Sequence, residues 1–150
     1  MLIHDLSQPE CAEFLGRNSM GRLGCALFNQ PYIVPILFSL DAERACLYAF
    51  SMIGQKVEWM RKNPRVCVEV EEIAGKDKWT TVLVFGRYQE LERSPKDAEA
   101  RERAERLFQA RQEWWLPGAA KVPSSQHHEM VIYQIEIDRM TGRRAAHPAE

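Results

Sequence analysis

Along most of the chain, bulky apolar residues alternate with polar or small ones, the period of a half-buried strand. Segments 22–28, 32–40, 45–51, 65–71, 79–92 and 130–137 each carry this pattern. The alternation is cleanest at 65–71, where Val66, Val68 and Val70 oppose Cys67, Glu69 and Glu71. Turn residues separate the runs at 29–30, 41–43 and 74–77. Three segments follow the helical period instead. Ser7, Pro9 and Glu10 form a capping-box pattern ahead of a helix over 9–16, with Cys11, Phe14 and Leu15 facing inward. Val57 and Met60 share one face of a second helix, which Asn63-Pro64 ends because a residue before proline is pushed out of the helical region. Ser94-Pro95 opens a third, of about five turns, whose stripe is Ala104, Leu107, Phe108 and Arg111 and which Trp114-Trp115 close. Residues 119–128 read as a loop, and the tail from Arg144 as frayed.

Six strands joined mostly by short turns, with helices set apart from them, predict an α+β, mainly β fold built on an antiparallel barrel. With 150 residues, no repeat and no low-complexity linker, the chain is expected to form a single domain over 1–150.

Composition narrows the function classes. Twenty Lys and Arg residues against 21 Asp and Glu give a net charge of -1, so no global field favours nucleic acid or an anionic membrane. No apolar run approaches the roughly 20 residues that span a bilayer, and the first residues lack a charged leader with an apolar core. The expected location is the cytoplasm. Cys11, Cys25, Cys46 and Cys67 form no Cys-x-x-Cys pair and read as buried free thiols rather than a zinc site or redox dithiol.

The candidate chemistry centres on 47–64, a strand carried by Leu47, Tyr48 and Phe50 that runs through Gly54 into the second helix. Lys56 falls in the first turn of that helix, where the macrodipole disfavours a cation by roughly 0.3–1 kcal/mol. Either Lys56 extends into water, or an anion resting on the free N–H groups of the helix start makes it a ligand.

Gly21-Arg22-Leu23-Gly24-Cys25-Ala26, Pro31-Tyr32-Ile33-Val34-Pro35-Ile36, Gly54-Gln55-Lys56, Asn63-Pro64-Arg65-Val66-Cys67 and Trp79-Thr80-Thr81-Val82 occur in that order. With them the chain resembles the pyridoxamine 5′-phosphate oxidase-like FMN-binding split-barrel superfamily, in the branch of flavin-nucleotide-binding proteins related to nitroimidazole-resistance proteins. The resemblance implies a six-stranded antiparallel split β-barrel with flanking helices, and a homodimer with FMN at the subunit interface. It implies that Ser51 and Lys56, with the backbone at Gly54, hold the flavin phosphate. Val34, Pro35 and Ile36 would lie along the isoalloxazine ring, and Thr81 would face the cofactor with a hydrogen-bonding side chain. Two positions depart from the branch: Phe50 stands where it usually has histidine, and Gln55 where it has arginine. The first loses a proton-transfer group, the second a bidentate phosphate partner.

Other clusters read more simply. His127-His128 invite a metal or haem site, but adjacent histidines on a strand face opposite ways and no third ligand is spaced to join them. They are expected to be loop residues, with no metal. Trp114 and Trp115 suit either a flavin cover or dimer contact, or a helix end packed on its own barrel. Glu69, Glu71 and Glu72 read as a solvated face. The expected function is FMN binding with flavin-dependent oxidoreduction of a small substrate. The alternatives are a flavin carrier, sensor or electron-transfer protein without turnover, and a haem-binding protein on the same fold.

Overall fold

A computed structural model of the chain describes residues 1–111 and 129–148. In chain order the elements are β1 (Leu2–Asp5), α1 (Gln8–Arg17), β2 (Met20–Leu27), β3 (Gln30–Leu37), β4 (Ser39–Asp41), β5 (Cys46–Met52), α2 (Gln55–Lys62), β6 (Arg65–Gly75), β7 (Lys78–Leu91), α3 (Ala98–Gln109) and β8 (Met130–Ala146). The strands form one antiparallel sheet in the order β3-β2-β6-β7-β8-β5-β4, with β1 added to β8. It does not close on itself, so the architecture is an α+β split barrel.

The six expected strands are all present, and two short ones join them. The predicted run 32–40 is broken at Phe38: β3 pairs β2 as far as Leu37, while β4 pairs β5 through Ser39↔Tyr48 and Asp41↔Cys46. The tail expected to fray from Arg144 is instead the end of β8. It pairs β1 through Leu2↔Ala146 and Asp5↔Arg143, and Ala145 is buried. Local pattern could not reveal this, because β1 has four exposed residues and is held only by a partner about 140 positions away.

Each strand puts one set of alternate residues inside. Leu23, Val68, Val70, Val82, Val84, Tyr133 and Ile135 fill the barrel, and Cys11, Phe14 and Leu15 of α1 plug one side of it. The capping box holds as read: the Glu10 N–H donates to Ser7 Oγ at 3.3 Å, and the Ser7 N–H donates to Glu10 Oε1 at 3.1 Å. A second cluster of Cys46, Tyr48, Leu91, Ala104 and Phe108 lies under α3. There Arg103 donates two hydrogen bonds to the buried Asp41, at 2.8 and 2.7 Å, and Tyr48 Oη donates a third at 3.0 Å. The Arg103 guanidinium, with Tyr48, holds the Asp41 carboxyl below its ordinary value.

Helix α3 starts at Ala98 rather than at Pro95, and Asp97 at its N-cap turns its carboxylate to the Glu92 N–H instead of to the helix. Arg111, read as part of an apolar stripe, donates to the carbonyls of Gly16 and Asn18, each at 2.8 Å, at the end of α1. Trp114, Trp115, His127 and His128 lie outside the described residues. All four cysteines are free, and Cys67 is half-buried rather than buried. Among the described residues no helix is long and apolar enough to cross a membrane.

At Phe85/Gly86 the β7–β8 register shifts. A Cβ at Gly86 would collide with the Glu136 carbonyl oxygen and press Ile135 Cγ2 at 2.9 Å, whereas one at Gly75 meets nothing within 4 Å. Gly86→Ala is therefore expected to lower stability by about 1–3 kcal/mol, and Gly75→Ala by less than about 0.5 kcal/mol, in urea unfolding followed by circular dichroism. Asp41 adds a pH dependence. Its folded value is depressed, so its contribution is complete above the unfolded value near 3.8 and fades as pH falls through the lower folded one. The acid-side drop in the urea midpoint of wild-type protein should be shallower in Asp41→Asn.

Candidate functional site

The switch at Phe38 creates the site. The Phe38 N–H donates to the Ser19 carbonyl at 2.8 Å, which fixes the alternation on the β2–β3 ladder. Residues 30, 32, 34 and 36 bond to β2, while Pro31, Ile33, Pro35 and Leu37 turn their main-chain groups to the free edge. On β5, the Ile53 N–H donates to Glu129 O at 3.2 Å and Ala45 O accepts from Ile137 N–H at 3.0 Å, so the odd-numbered residues bond to β8. Cys46 and Tyr48 therefore bond to β4, and beyond them Phe50 and Met52 present main-chain groups that no described strand takes up. The edges of β3 and β5 that no described strand pairs flank the split.

Helix α2 stands at the end of β5. Its N-cap is Gly54, with no side chain to bond the first turn, in contrast to the boxed α1. The first intrahelical bond runs from the Glu58 N–H to Gly54 O at 3.0 Å, which leaves the N–H groups of Gln55, Lys56 and Val57 without a helical partner. Val57 and Met60 anchor the helix in the core, Trp59 packs on Tyr32 at 5.6 Å between ring centroids, and Asn63 Nδ2 donates to Ala26 O at 2.9 Å. Lys56 is half-buried beside the Cys25 thiol and makes no ion pair with a described residue. Burial pushes its ammonium below the ordinary lysine value, and the neighbouring Cys25 works in the opposite direction. Of the two readings of Lys56, simple extension into water does not describe it. A partly desolvated cation, three N–H groups without a helical partner and an edge no described strand pairs are the groups an anion cradle requires.

The candidate residues fall into three places. Ser51 sits one residue before Met52 on the barrel-facing side of β5, buried, its Oγ donating to Met52 O at 2.8 Å. With Gln55 and Lys56 it belongs to the α2 end of the split. Pro35 carries main-chain groups on the β3 edge, while Val34 and Ile36 point inward beside Leu23 and Gly21. Phe50 divides: its backbone faces the split, but its ring packs edge-on against Phe108 under α3, 5.2 Å between centroids. Thr81 lies elsewhere, on the outer face of β7, where its Oγ1 donates to Glu69 Oε1 at 3.2 Å.

Glu69 and Glu71, read as a solvated face, share Arg22 Nη1 at 3.2 and 2.7 Å. The row Pro35, Arg22, Glu69, Leu83 runs across that outer face through successive pairings, with exposed Met20 and Ile33 beside it. Sequence reasoning missed that the Phe50 and Met52 main chain lies beyond the part of β5 that β4 pairs. No local signal announced it, because 32–40 reads as one continuous strand and the short β4 that ends the pairing of β5 early appears only in the fold.

A family model described as pyridoxamine 5′-phosphate oxidase matches residues 7–144. An uncharacterized protein of Rhizobium meliloti (strain 1021) is 39% identical over 148 residues, 97% of this chain and 97% of that one. Among solved structures, a FAD-binding protein from Mesorhizobium loti is 41% identical with a TM-score of 0.80, covering 97% of this chain and 100% of that one. The FAD-binding protein from Mycobacterium smegmatis shares the fold at 20% identity, with a TM-score of 0.66 over 95% of this chain and 100% of that one.

Proposed function

The chain belongs to the pyridoxamine 5′-phosphate oxidase family, and from that premise we propose that it binds a flavin nucleotide in the split between β3 and β5. The observation that carries this reading is the half-buried Lys56 on the uncapped first turn of α2, without a described counter-ion. The ribityl phosphate shared by FMN and FAD supplies the missing charge. Lys56 Nζ and the N–H groups of Gln55, Lys56 and Val57 hold it, with the Ser51 hydroxyl and the Gln55 amide as neutral donors. Pro35 carries the β3 edge along the ring, and Val34 and Ile36 keep that edge straight by packing inward. FMN is the proposed ligand. The relative from Mesorhizobium loti is described as FAD-binding, so FAD is tested beside it.

Thr81 cannot join the cradle within one chain, since it lies on the outer face. We place it, with Arg22, Glu69 and the exposed Met20, Ile33 and Leu83, on the contact face of a homodimer that shares each flavin. The apolar members of that row support this reading. Once bound, the flavin supplies two-electron chemistry, and the protein's part is to orient it and to exclude water from one face. The proposed activity is oxidoreduction of a small acceptor of nitroaromatic or quinone type.

A second reading, a flavin carrier or electron-transfer protein without turnover, is favoured by Phe50, whose ring is committed to packing under α3. Anaerobic mixing of the flavin-loaded protein with NADH or NADPH separates the two. Bleaching of the visible flavin band faster than in free FMN is expected for the oxidoreductase, and an unaccelerated rate for the carrier.

Lys56→Met should weaken FMN binding by about 10- to 100-fold in fluorescence titration, the loss of one charge-assisted hydrogen bond. It should not lower the urea midpoint of the flavin-free protein, because the methionine no longer desolvates a charge. Unchanged affinity would move the phosphate site elsewhere. Light scattering at micromolar concentration should report the mass of a dimer.

A further inference from the structure

Pro31 and Pro35 both occupy outward positions of the β3 edge, where a residue's N–H would point away from β2. Neither removes a ladder bond. Their effect is on what the edge offers. Between 31 and 35, its outward groups are three carbonyls and one N–H, that of Ile33. The Pro31 carbonyl already accepts from Gln30 Nε2 at 2.9 Å. What remains is an N–H and a carbonyl at Ile33, then a carbonyl with no donor at Pro35.

A flavin ring changes its hydrogen-bonding character on reduction. Two electrons and two protons convert the oxidised ring to the dihydro form. One proton resides on N5, which passes from acceptor to donor, while the neighbouring carbonyls remain acceptors. A position on the edge with a carbonyl and no N–H therefore satisfies the reduced ring and leaves an acceptor of the oxidised ring unpaired. We propose that Pro35 is a specificity-determining residue for flavin redox state: by deleting one donor from the β3 edge, it makes the split bind the reduced flavin more tightly, relative to the oxidised one, than an ordinary residue there would. This rests on the flavin reading of the split, and it concerns backbone chemistry that no side chain at that position reveals.

The test is Pro35→Ala, which restores the N–H and keeps the extended backbone. The dissociation constants of oxidised FMN and of FMN reduced with dithionite are measured by anaerobic fluorescence and absorbance titration, and the midpoint potential of bound flavin is read independently. Pro31→Ala, on the same edge but beside a carbonyl already engaged by Gln30, is the control, and circular dichroism checks the fold of both. Pro35→Ala is expected to tighten oxidised FMN relative to reduced FMN by about fivefold, one ordinary hydrogen bond. At about 30 mV per decade for a two-electron couple, this lowers the midpoint potential by about 20 mV.

Pro31→Ala is expected to leave the ratio unchanged. Intact binding with an unchanged ratio in Pro35→Ala overturns the role of Pro35 and leaves the flavin reading standing, as does an equal shift in Pro31→Ala. Failure of the wild-type protein to bind FMN or FAD in either state overturns both.

Discussion

One strand changing partners at Phe38 is the constraint on which the rest of the molecule depends. Up to Leu37 the chain is bound to β2, and from Ser39 it is bound to β5. The Phe38 side chain, fully buried, pins the bend into the core, and its N–H secures the last rung to Ser19. A strand paired on both sides throughout would have closed the barrel and consumed every main-chain group between β3 and β5. The bend divides the pairing instead, so both strands keep an open edge along part of their length. Unpaired edges usually invite aggregation. Here the two prolines of β3 remove two of the N–H groups that another strand would need, which protects the edge while leaving carbonyls available to a smaller partner.

The two helices that flank this region show how the same physics is put to opposite uses. Helix α1 spends Ser7 and Glu10 on its own first turn and ends against Arg111, so both of its termini are satisfied internally. Helix α2 has glycine at its N-cap and a lysine in its first turn, and is kept in place by Val57 and Met60 rather than by capping. Tertiary packing tolerates the electrostatic conflict at its start. Burial then makes that conflict worse by desolvating Lys56. A ligand that brings negative charge relieves the desolvation, the dipole and the free N–H groups together. A position that conflicts with its own helix in this way is suited to an anionic ligand.

Much of the fold was legible because it is written in period and punctuation. Val66, Val68 and Val70 mark the barrel side of β6 without ambiguity, and Ser7-Pro9-Glu10 specify the α1 start down to the reciprocal hydrogen bonds. What failed was long-range or conformational. No local pattern in Leu2–Asp5 announces a strand, because its reason to be extended is the end of β8. Phe28 and Asn29 form the β2–β3 turn with φ of 50° and 63°. A phenylalanine in the left-handed region gives no signal, so the turn was read one residue late, at Asn29 and Gln30. In the site, Lys56 was visible as a broken rule. The backbone side of Phe50 was not, since its side chain points one way and its main chain the other.

That division at Phe50 bears on what kind of chemistry this architecture can host. A titratable side chain in the split could move protons, and its substitution would be read directly as lost chemistry. Here the ring is locked against Phe108, and the groups that face the split from β3 and β5 are largely main chain, with Lys56 as the charge at one end. Main-chain groups neither titrate nor mutate away. They discriminate among ligands only by their order of donors and acceptors, and proline is the one residue that edits that order. Any redox group held in a site of this construction would be tuned through which N–H is missing rather than through which acid or base is present.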